Sequence, residues 1–273
     1  MNDCKILFTG DFWHTDFRSV VSGFEVPTTL VPIEKIESVG DSAFDLVVVA
    51  QSRRGQYSKD QIANIQDMFP TTPIVGLLGS WCEGEVRSGD PWPGVLRVYW
   101  HQWEGRFADF KKQLAEEGVT DWHVPKTTSI GDLIANSNSQ PDGQTNLFVA
   151  ISAWTETNHS MISDAIDSFG WTSCWVERAI WNAETVSAVD AICIEADGWC
   201  EDLANRIKWI QSEIPQTPMV LILNYPRQEE LKQIQNEGID QVVSKPFELK
   251  DLHSAICKTM KSHSKRNFES AEV

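Results

Sequence analysis

The chain has 273 residues, a formal net charge of -16 and a sequence pI near 4.7. This length corresponds to one large or two average domains. The negative charge argues against nucleic acid or an anionic membrane surface as a direct partner, and no apolar run approaches the ~20 residues of a membrane helix.

Four apolar strand segments occur in the first half of the chain and return, in the same order, in the second half. The first set is KILFTGDFW (5–13), FDLVVVA (44–50), TPIVGLLGS (72–80) and GVLRVYWHQWE (94–104). The second set is NLFVAISAW (146–154), VDAICIE (189–195), TPMVLILNY (217–225) and GIDQVVSKPFE (238–248). The offsets are 141, 145, 145 and 144 residues, which indicates a tandem duplication.

Helical patterns separate these strands. They are SKDQIANIQDMF (58–69) in the first copy, and NHSMISDAIDSFG (158–170), EDLANRIKWIQSEIP (201–215) and RQEELKQIQNEG (227–238) in the second. The segment 79–94, between strands four and five of copy one, contains too much Gly and Pro for a helix and predicts a long loop. Strands that are apolar throughout need cover on both faces, so each copy is predicted to be a parallel sheet between helices.

These patterns predict four segments. They are a divergent domain at 1–123, a polar linker at 124–145 that contains a short helical turn at 130–135, a second domain at 146–262, and a disordered tail at 263–273.

The second copy resembles the receiver domain of two-component response regulators. The resemblance rests on VDAICIE, on the Thr-Pro that opens TPMVLIL, and above all on GIDQVVSKPFELKDLHSAI (238–256), and copy one shows it more weakly. It implies an α/β fold made of two flavodoxin-like (βα)5 doubly wound parallel-sheet domains in tandem. It also places any chemistry at the carboxyl ends of the strands.

A phosphorylatable receiver needs an acidic pair, an acceptor aspartate, a hydroxyl residue and a lysine, because a metal ion and the lysine neutralise the transferred phosphoryl group. At these four positions the second copy has Ile151 and Ser152, Glu195, Leu223 and Lys245, and the first has Gly10 and Asp11, Ala50, Leu78 and His101. Only Lys245 is retained in the second copy. The resemblance therefore implies pseudo-receiver domains that are not phosphorylated on aspartate.

Glu195 and Lys245 are predicted to meet at the edge of the sheet. One hypothesis is that Glu195 mimics a phosphorylated aspartate, and the other is an ordinary, partly exposed ion pair that contributes ~0–1 kcal/mol. A shifted register that makes Asp197 the acceptor would still lack the acidic pair.

Copy one collects polar and aromatic residues at its predicted strand ends. They are Asp11, Trp13, His14, Arg53, Trp81, Cys82, Glu83, Trp100, His101 and Trp103. They are compatible with a small-ligand pocket or with an edge filled by tryptophan. Cys82 in SWCEG also allows a thiol-enzyme hypothesis, although no helix pattern follows it.

The chain is therefore predicted to be a non-enzymatic regulatory or protein-interaction module. The resemblance to receiver domains implies a partner surface formed by helix four, strand five and helix five of the second domain, about residues 227–260, for another protein or a second copy of the chain. No metal or cofactor is predicted, because the six cysteines show no C-x-x-C spacing. Without a signal sequence the expected compartment is the cytoplasm.

Overall fold

The computed structural model describes residues 4–40, 42–84, 91–128, 146–176, 189–213 and 217–271. The chain divides into two compact units, Met1–Asn136 and Ser137–Val273, called here the N-terminal and C-terminal units. Each contains one five-stranded parallel sheet, so the predicted α/β fold with two tandem flavodoxin-like domains is confirmed.

The N-terminal unit contains five strands and three helices in its described part. Its strands are β1 (Ile6–Gly10), β2 (Thr28–Val31), β3 (Leu46–Arg53), β4 (Ile74–Trp81) and β5 (Leu96–Tyr99), and its helices are α1 (Arg18–Ser22), α2 (Lys59–Met68) and α3 (Trp103–Glu117). Three short 3-10 segments lie at Thr15–Phe17, Ile33–Val39 and Trp100–Gln102. The strand order is β2-β1-β3-β4-β5.

The C-terminal unit repeats this arrangement. Its strands are β6 (Phe148–Ser152), β7 (Thr172–Trp175), β8 (Ala191–Ala196), β9 (Met219–Asn224) and β10 (Gln241–Lys245), and its helices are α4 (Glu156–Ser168), α5 (Glu201–Glu213), α6 (Gln228–Asn236) and α7 (Leu249–Ala271). The sheet order is β10-β9-β8-β6-β7, the same topology as in the first unit.

Helix starts follow the local signals in the sequence. Ser58 caps α2 by accepting a hydrogen bond from the backbone N–H of Gln61, whose side chain in turn accepts one from the N–H of Ser58. Thr155 accepts from the N–H of Asn158 at the start of α4. The helices predicted from these patterns therefore begin within a residue or two of their expected positions.

The C-terminal sheet is apolar on both faces, as predicted. Successive residues of its strands point to opposite faces and belong to two different hydrophobic clusters, as Cys193 and Ile194 do. One cluster includes side chains of α4 and α7, and the other includes side chains of α5 and α6. Helices thus cover both faces of this sheet.

Helix α7 continues to Ala271 and so includes most of the segment 263–273 that the sequence predicted to be a disordered tail. Once a helix is nucleated, each added residue gains one backbone hydrogen bond, and Lys, Arg and Glu are good helix formers without any packing. No described helix is long and apolar enough to cross a membrane.

The predicted linker is described only over its first five residues. The backbone N–H of Gly94 donates to the carbonyl of Thr128, and Lys126 pairs with Asp67 at 2.7 Å, so residues 124–128 pack on the N-terminal unit. The helical turn predicted at 130–135 lies outside the described residues. The linker boundaries therefore remain a prediction.

Candidate functional site

Sheet register shows which residues of the two units occupy equivalent positions. The register pairs are Val47 with Ile74 and Leu78 with Tyr99 in the first unit, and Ile192 with Met219 and Leu223 with Ser244 in the second. Equivalent residues of the third, fourth and fifth strands are therefore 145 positions apart. In the first strand, Leu7 pairs with Val47 and Ala150 with Ile192, so the separation there is 143.

This register corrects one predicted equivalence. Trp100, and not His101, stands where Lys245 stands in the second unit, because Tyr99 is equivalent to Ser244. The sequence comparison aligned Gly94 with Gly238, but the strand that follows starts one residue later in the second unit.

The same register corrects the first-strand positions. The residues equivalent to Gly10 and Asp11 are Ala153 and Trp154, not Ile151 and Ser152. The sequence comparison had aligned Trp13 with Trp154. The number of residues between paired positions of the first and third strands is two smaller in the first unit, so the first-strand alignment was shifted by two residues. None of these second-unit residues is a carboxylate.

Glu195 is the centre of the C-terminal edge. It is the penultimate residue of β8, and its side chain has no exposed surface. Its Oε1 receives hydrogen bonds from Lys245 Nζ and from Asn158 Nδ2, the latter at 3.0 Å, while Oε2 receives one from the backbone N–H of Trp154 at 3.1 Å. Three elements thus supply donors to one buried carboxylate.

Lys245 is the last residue of β10, and β9 lies between β10 and the strand β8 that carries Glu195. The lysine side chain therefore extends past β9 to contact the carboxylate. That side chain is 17 % exposed. One hypothesis from the sequence was an ordinary, partly exposed ion pair. That hypothesis is wrong for Glu195, because its carboxylate is fully buried. A buried charge is costly unless it is paired and hydrogen-bonded, and these donors meet that requirement.

The remaining polar residues of this edge have other roles. Asp197 lies just beyond the end of β8, and its Oδ1 accepts a hydrogen bond from Asn224 Nδ2 at 2.8 Å. Leu223 and Ile151 are fully buried and belong to the hydrophobic clusters. Asp197 therefore does not take the place of Glu195 opposite Lys245.

The N-terminal edge is built around two carboxylates. Asp11 Oδ2 accepts hydrogen bonds from Ser52 Oγ and, at 3.2 Å, from Gln56 Nε2. Asp16 Oδ2 accepts from the backbone N–H of Ser80 at 2.7 Å, which ties the loop after β1 to the end of β4. Asp16, in the 3-10 segment after β1, Ser52, near the end of β3, and Gln56, just after β3, were missed from the sequence.

Three of the predicted edge residues are buried. Trp103 is the first residue of α3 and is 4 % exposed, and its ring stacks on Phe107 at 5.0 Å, so its placement at the edge was wrong. Trp100 is also buried and donates from Nε1 to Ser80 Oγ at 3.1 Å. The buried Cys82 thiol donates to the carbonyl of Gln51 at 3.2 Å.

His101 stacks in parallel on Tyr99, with ring centroids 5.6 Å apart. Burial of the imidazole, together with the positive charge of Arg106, lowers the pKa of His101 to about 3. His101 is therefore neutral at physiological pH and does not supply the positive charge that Lys245 supplies in the second unit.

The other predicted edge residues are accessible. Trp13, Arg53, Trp81 and Glu83 are exposed, and His14 accepts a hydrogen bond from the N–H of Asp16. Within the described ranges, no three His, Cys, Asp or Glu side chains are arranged to hold a metal ion. The edge is thus part buried polar network and part exposed aromatic surface.

No protein-family model and no curated protein matches the chain. Solved structures that share the fold of about half of it include response-regulator receiver domains. The receiver domain of a LuxO repressor protein from Vibrio parahaemolyticus has 12 % identity and a TM-score of 0.37, and the match covers 45 % of this chain and 97 % of that one. A response regulator receiver domain protein from Clostridium thermocellum has 12 % identity and a TM-score of 0.37, and the match covers 43 % of this chain and 97 % of that one.

A longer protein, NtrX from Brucella abortus in complex with ADP, gives 12 % identity and a TM-score of 0.39. The match covers 46 % of this chain but only 29 % of the NtrX chain.

Proposed function

We propose that the C-terminal unit is a regulatory, protein-interaction module of response-regulator receiver type that works in the cytoplasm without aspartyl phosphorylation and without enzymatic activity. The single observation that supports this is the environment of Glu195. The acceptor position at the end of the third strand carries a buried glutamate that is already bonded to Lys245, Asn158 and the backbone of Trp154.

This environment disfavours phosphoryl transfer for two reasons. Lys245, the cation that would neutralise an incoming phosphoryl group, is already bonded to the carboxylate. The strand-one positions beside it hold Ala153 and Trp154, and these side chains offer no oxygen ligand to Mg²⁺.

Incubation of the full chain with acetyl phosphate and Mg²⁺ tests the phosphorylation part of the proposal. Intact-mass spectrometry should show no phosphoryl adduct, while an active receiver domain in the same reaction acquires one. A phosphoryl adduct on this chain would contradict the proposal, whether or not it persists in Glu195→Gln.

The proposed partner surface consists of α6, β10 and α7, which form the edge of the sheet and the helices beside it. Lys232 on α6 and Lys258 on α7 are exposed there and are suited to charge reversal. Lys112 on α3 of the other unit is also exposed and provides a matched control.

We expect affinity capture with the full chain to recover a specific protein that the double variant Lys232→Glu/Lys258→Glu loses and Lys112→Glu retains. If the partner is a second copy, sedimentation should show a dimer that only the double variant dissociates. Equal recovery by all three proteins would place the partner surface elsewhere.

A further inference from the structure

One face of α7 carries three side chains with soft metal-binding atoms. They are His253, Cys257 and Met260, separated by four and three residues along the helix. Side chains with these spacings are neighbours on the same side of a helix, with Cβ atoms about 5–6 Å apart. Imidazole nitrogen, thiolate sulfur and thioether sulfur are all ligands that transition metals use in proteins.

Packing shows that the three side chains border the same apolar region. The imidazole of His253 stacks on the indole of Trp171, with ring centroids 4.9 Å apart, and makes a T-shaped contact with the Phe169 ring at 5.1 Å. Both rings belong to the hydrophobic cluster against which Cys257 and Met260 also pack. The two aromatic contacts hold the imidazole in one orientation, so little conformational entropy is lost when it binds a ligand.

The imidazole and the thiol are already close enough to share one cation. His253 Nε2 and Cys257 Sγ are 3.9 Å apart, and both side chains are half-buried, so an ion can reach them from solvent. Metal–ligand distances in protein zinc sites are about 2.0 Å to imidazole nitrogen and about 2.3 Å to thiolate sulfur. A cation of that size between the two atoms has an N–metal–S angle of roughly 130°, which leaves room for a third ligand.

The types of ligand favour Cu⁺ over Zn²⁺. Protein zinc sites take three or four ligands from Cys, His, Asp and Glu, and in the described part of the chain no third residue of these types joins His253 and Cys257. Thiolate and thioether sulfur are soft ligands that suit Cu⁺. Met260, one turn beyond Cys257 on the same face, provides the thioether.

Charge favours the same ion. Cu⁺ bound to one thiolate forms a neutral unit, whereas Zn²⁺ bound to one thiolate leaves a positive charge against the apolar cluster. Burial raises the pKa of the Cys257 thiol, and the ammonium of Lys261 partly offsets this shift. The same ammonium repels a site with a net positive charge.

We propose that His253, Cys257 and Met260 bind one Cu⁺ ion through imidazole Nε2, thiolate and thioether. When the ion binds, the S–H bond of Cys257 breaks and its proton passes to water, while Nε2 and the two sulfur atoms each donate an electron pair to the metal. Copper stays Cu⁺ and nothing is oxidised. The site lies on the face of α7 that packs against the core and does not depend on the function proposed for the C-terminal unit.

Anaerobic titration of the full chain with Cu⁺, in competition with the chromogenic chelator bicinchoninate, tests the proposal. The unaltered chain should take one equivalent of Cu⁺ from the chelator, and Cys257→Ala should leave that equivalent behind. Cys200→Ala is the matched control, because it removes an exposed thiol far along the chain from α7. It should take as much Cu⁺ as the unaltered chain.

Two further variants remove a ligand while keeping the packing. His253→Phe retains a ring beside Trp171, and Met260→Leu retains an apolar side chain of similar volume against the cluster. Each should weaken Cu⁺ binding at least ~10-fold, because loss of even a second-shell partner costs about 10–100-fold in metal affinity. Melting temperatures measured without copper check that each variant is folded.

X-ray absorption at the copper edge gives a readout that needs no variant. On the Cu⁺-loaded unaltered chain, the first coordination shell should contain one nitrogen and two sulfur atoms.

Any of four results would overturn the proposal. They are a chain that takes no Cu⁺ from the chelator, equal uptake by Cys257→Ala, a copper shell without both nitrogen and two sulfur atoms, and undiminished binding by Met260→Leu together with equally tight binding of Zn²⁺, which would make zinc the occupant.

Discussion

At the residue scale, the contact between Glu195 and Lys245 distinguishes two kinds of ion pair within one chain. Glu195 is fully buried, whereas the pair of Lys126 and Asp67 is largely exposed, with side-chain exposures of 43 % and 78 %. Exposed pairs contribute ~0–1 kcal/mol, while breaking a buried pair leaves an uncompensated charge in the interior. The two pairs should therefore respond very differently to substitution.

Glu195→Gln is expected to lower the free energy of unfolding by about 3 kcal/mol, because Lys245 loses its carboxylate partner. Lys126→Ala should change it by less than ~1 kcal/mol. Urea denaturation of both variants measures the difference. If Glu195→Gln leaves stability and partner binding unchanged, the hypothesis that Glu195 mimics a phosphorylated aspartate is wrong.

His101 gives a prediction on pH. Its pKa is lowered to about 3 in the folded protein, while in the unfolded chain it should be near the ordinary value of 6.5. The unfolded state therefore binds the proton first as pH falls. The stability associated with neutral His101 is fully present above pH ~6.5 and is lost below it, by at most ~1.4 kcal/mol per pH unit.

His101→Phe keeps an aromatic ring beside Tyr99 but cannot be protonated. Between pH 7 and 4.5 its unfolding free energy should fall less steeply than that of the unaltered chain. Because both proteins carry the same carboxylates, the difference between their slopes isolates His101. Parallel slopes would show that His101 is not protonated on unfolding in this range.

At the element scale, the junction between β1 and the loop that follows depends on Gly10. Its φ is +89°, and a Cβ atom there would lie 2.4 Å from the carbonyl oxygen of Ala50 in β3. Any other residue would combine an unfavourable backbone conformation with a clash against a paired strand. The tight turn that carries Asp11 over the sheet edge therefore requires glycine.

Gly10→Ala should destabilise the protein by ~2 kcal/mol or more, because Ala50 is held in the sheet and cannot move away. Gly170→Ala is a matched control, since φ there is +74° but a Cβ atom would meet nothing within 4 Å. It should cost only ~1 kcal/mol. Equal losses in chemical denaturation would show that the contact with Ala50 does not contribute.

At the scale of the whole molecule, the six cysteines are all free thiols but differ in access. Burial raises the pKa of Cys193 to about 12 and that of Cys4 to about 11, and Cys82 is completely buried. Cys200 is exposed. Access and thiolate fraction together control alkylation.

Labelling of the native chain with iodoacetamide should therefore modify Cys200 first, and Cys82 and Cys193 last. Peptide mass spectrometry over a time course gives the order. Unusually fast labelling of Cys82 would revive the thiol-enzyme hypothesis, whereas the expected slow labelling removes it.

The fold could be read from the sequence because apolar strands and helix caps are local signals. The internal repeat gave both sheets, and Ser58 and Thr155 marked helix starts correctly. The site was predicted less well. Register depends on connection lengths, so His101 was matched to Lys245 in place of Trp100, and burial depends on packing, so the full enclosure of Glu195 was missed.

The uneven burial of the tryptophans also gives the protein its own optical reporters. The chain has twelve, of which Trp92, Trp100, Trp103, Trp122 and Trp171 are buried, whereas Trp13 and Trp81 lie largely in water. Acrylamide quenches fluorescence by collision, so these two indoles should provide much of the accessible, red-shifted emission of the native chain. Any partner that covered them would shift that emission to the blue without any attached dye.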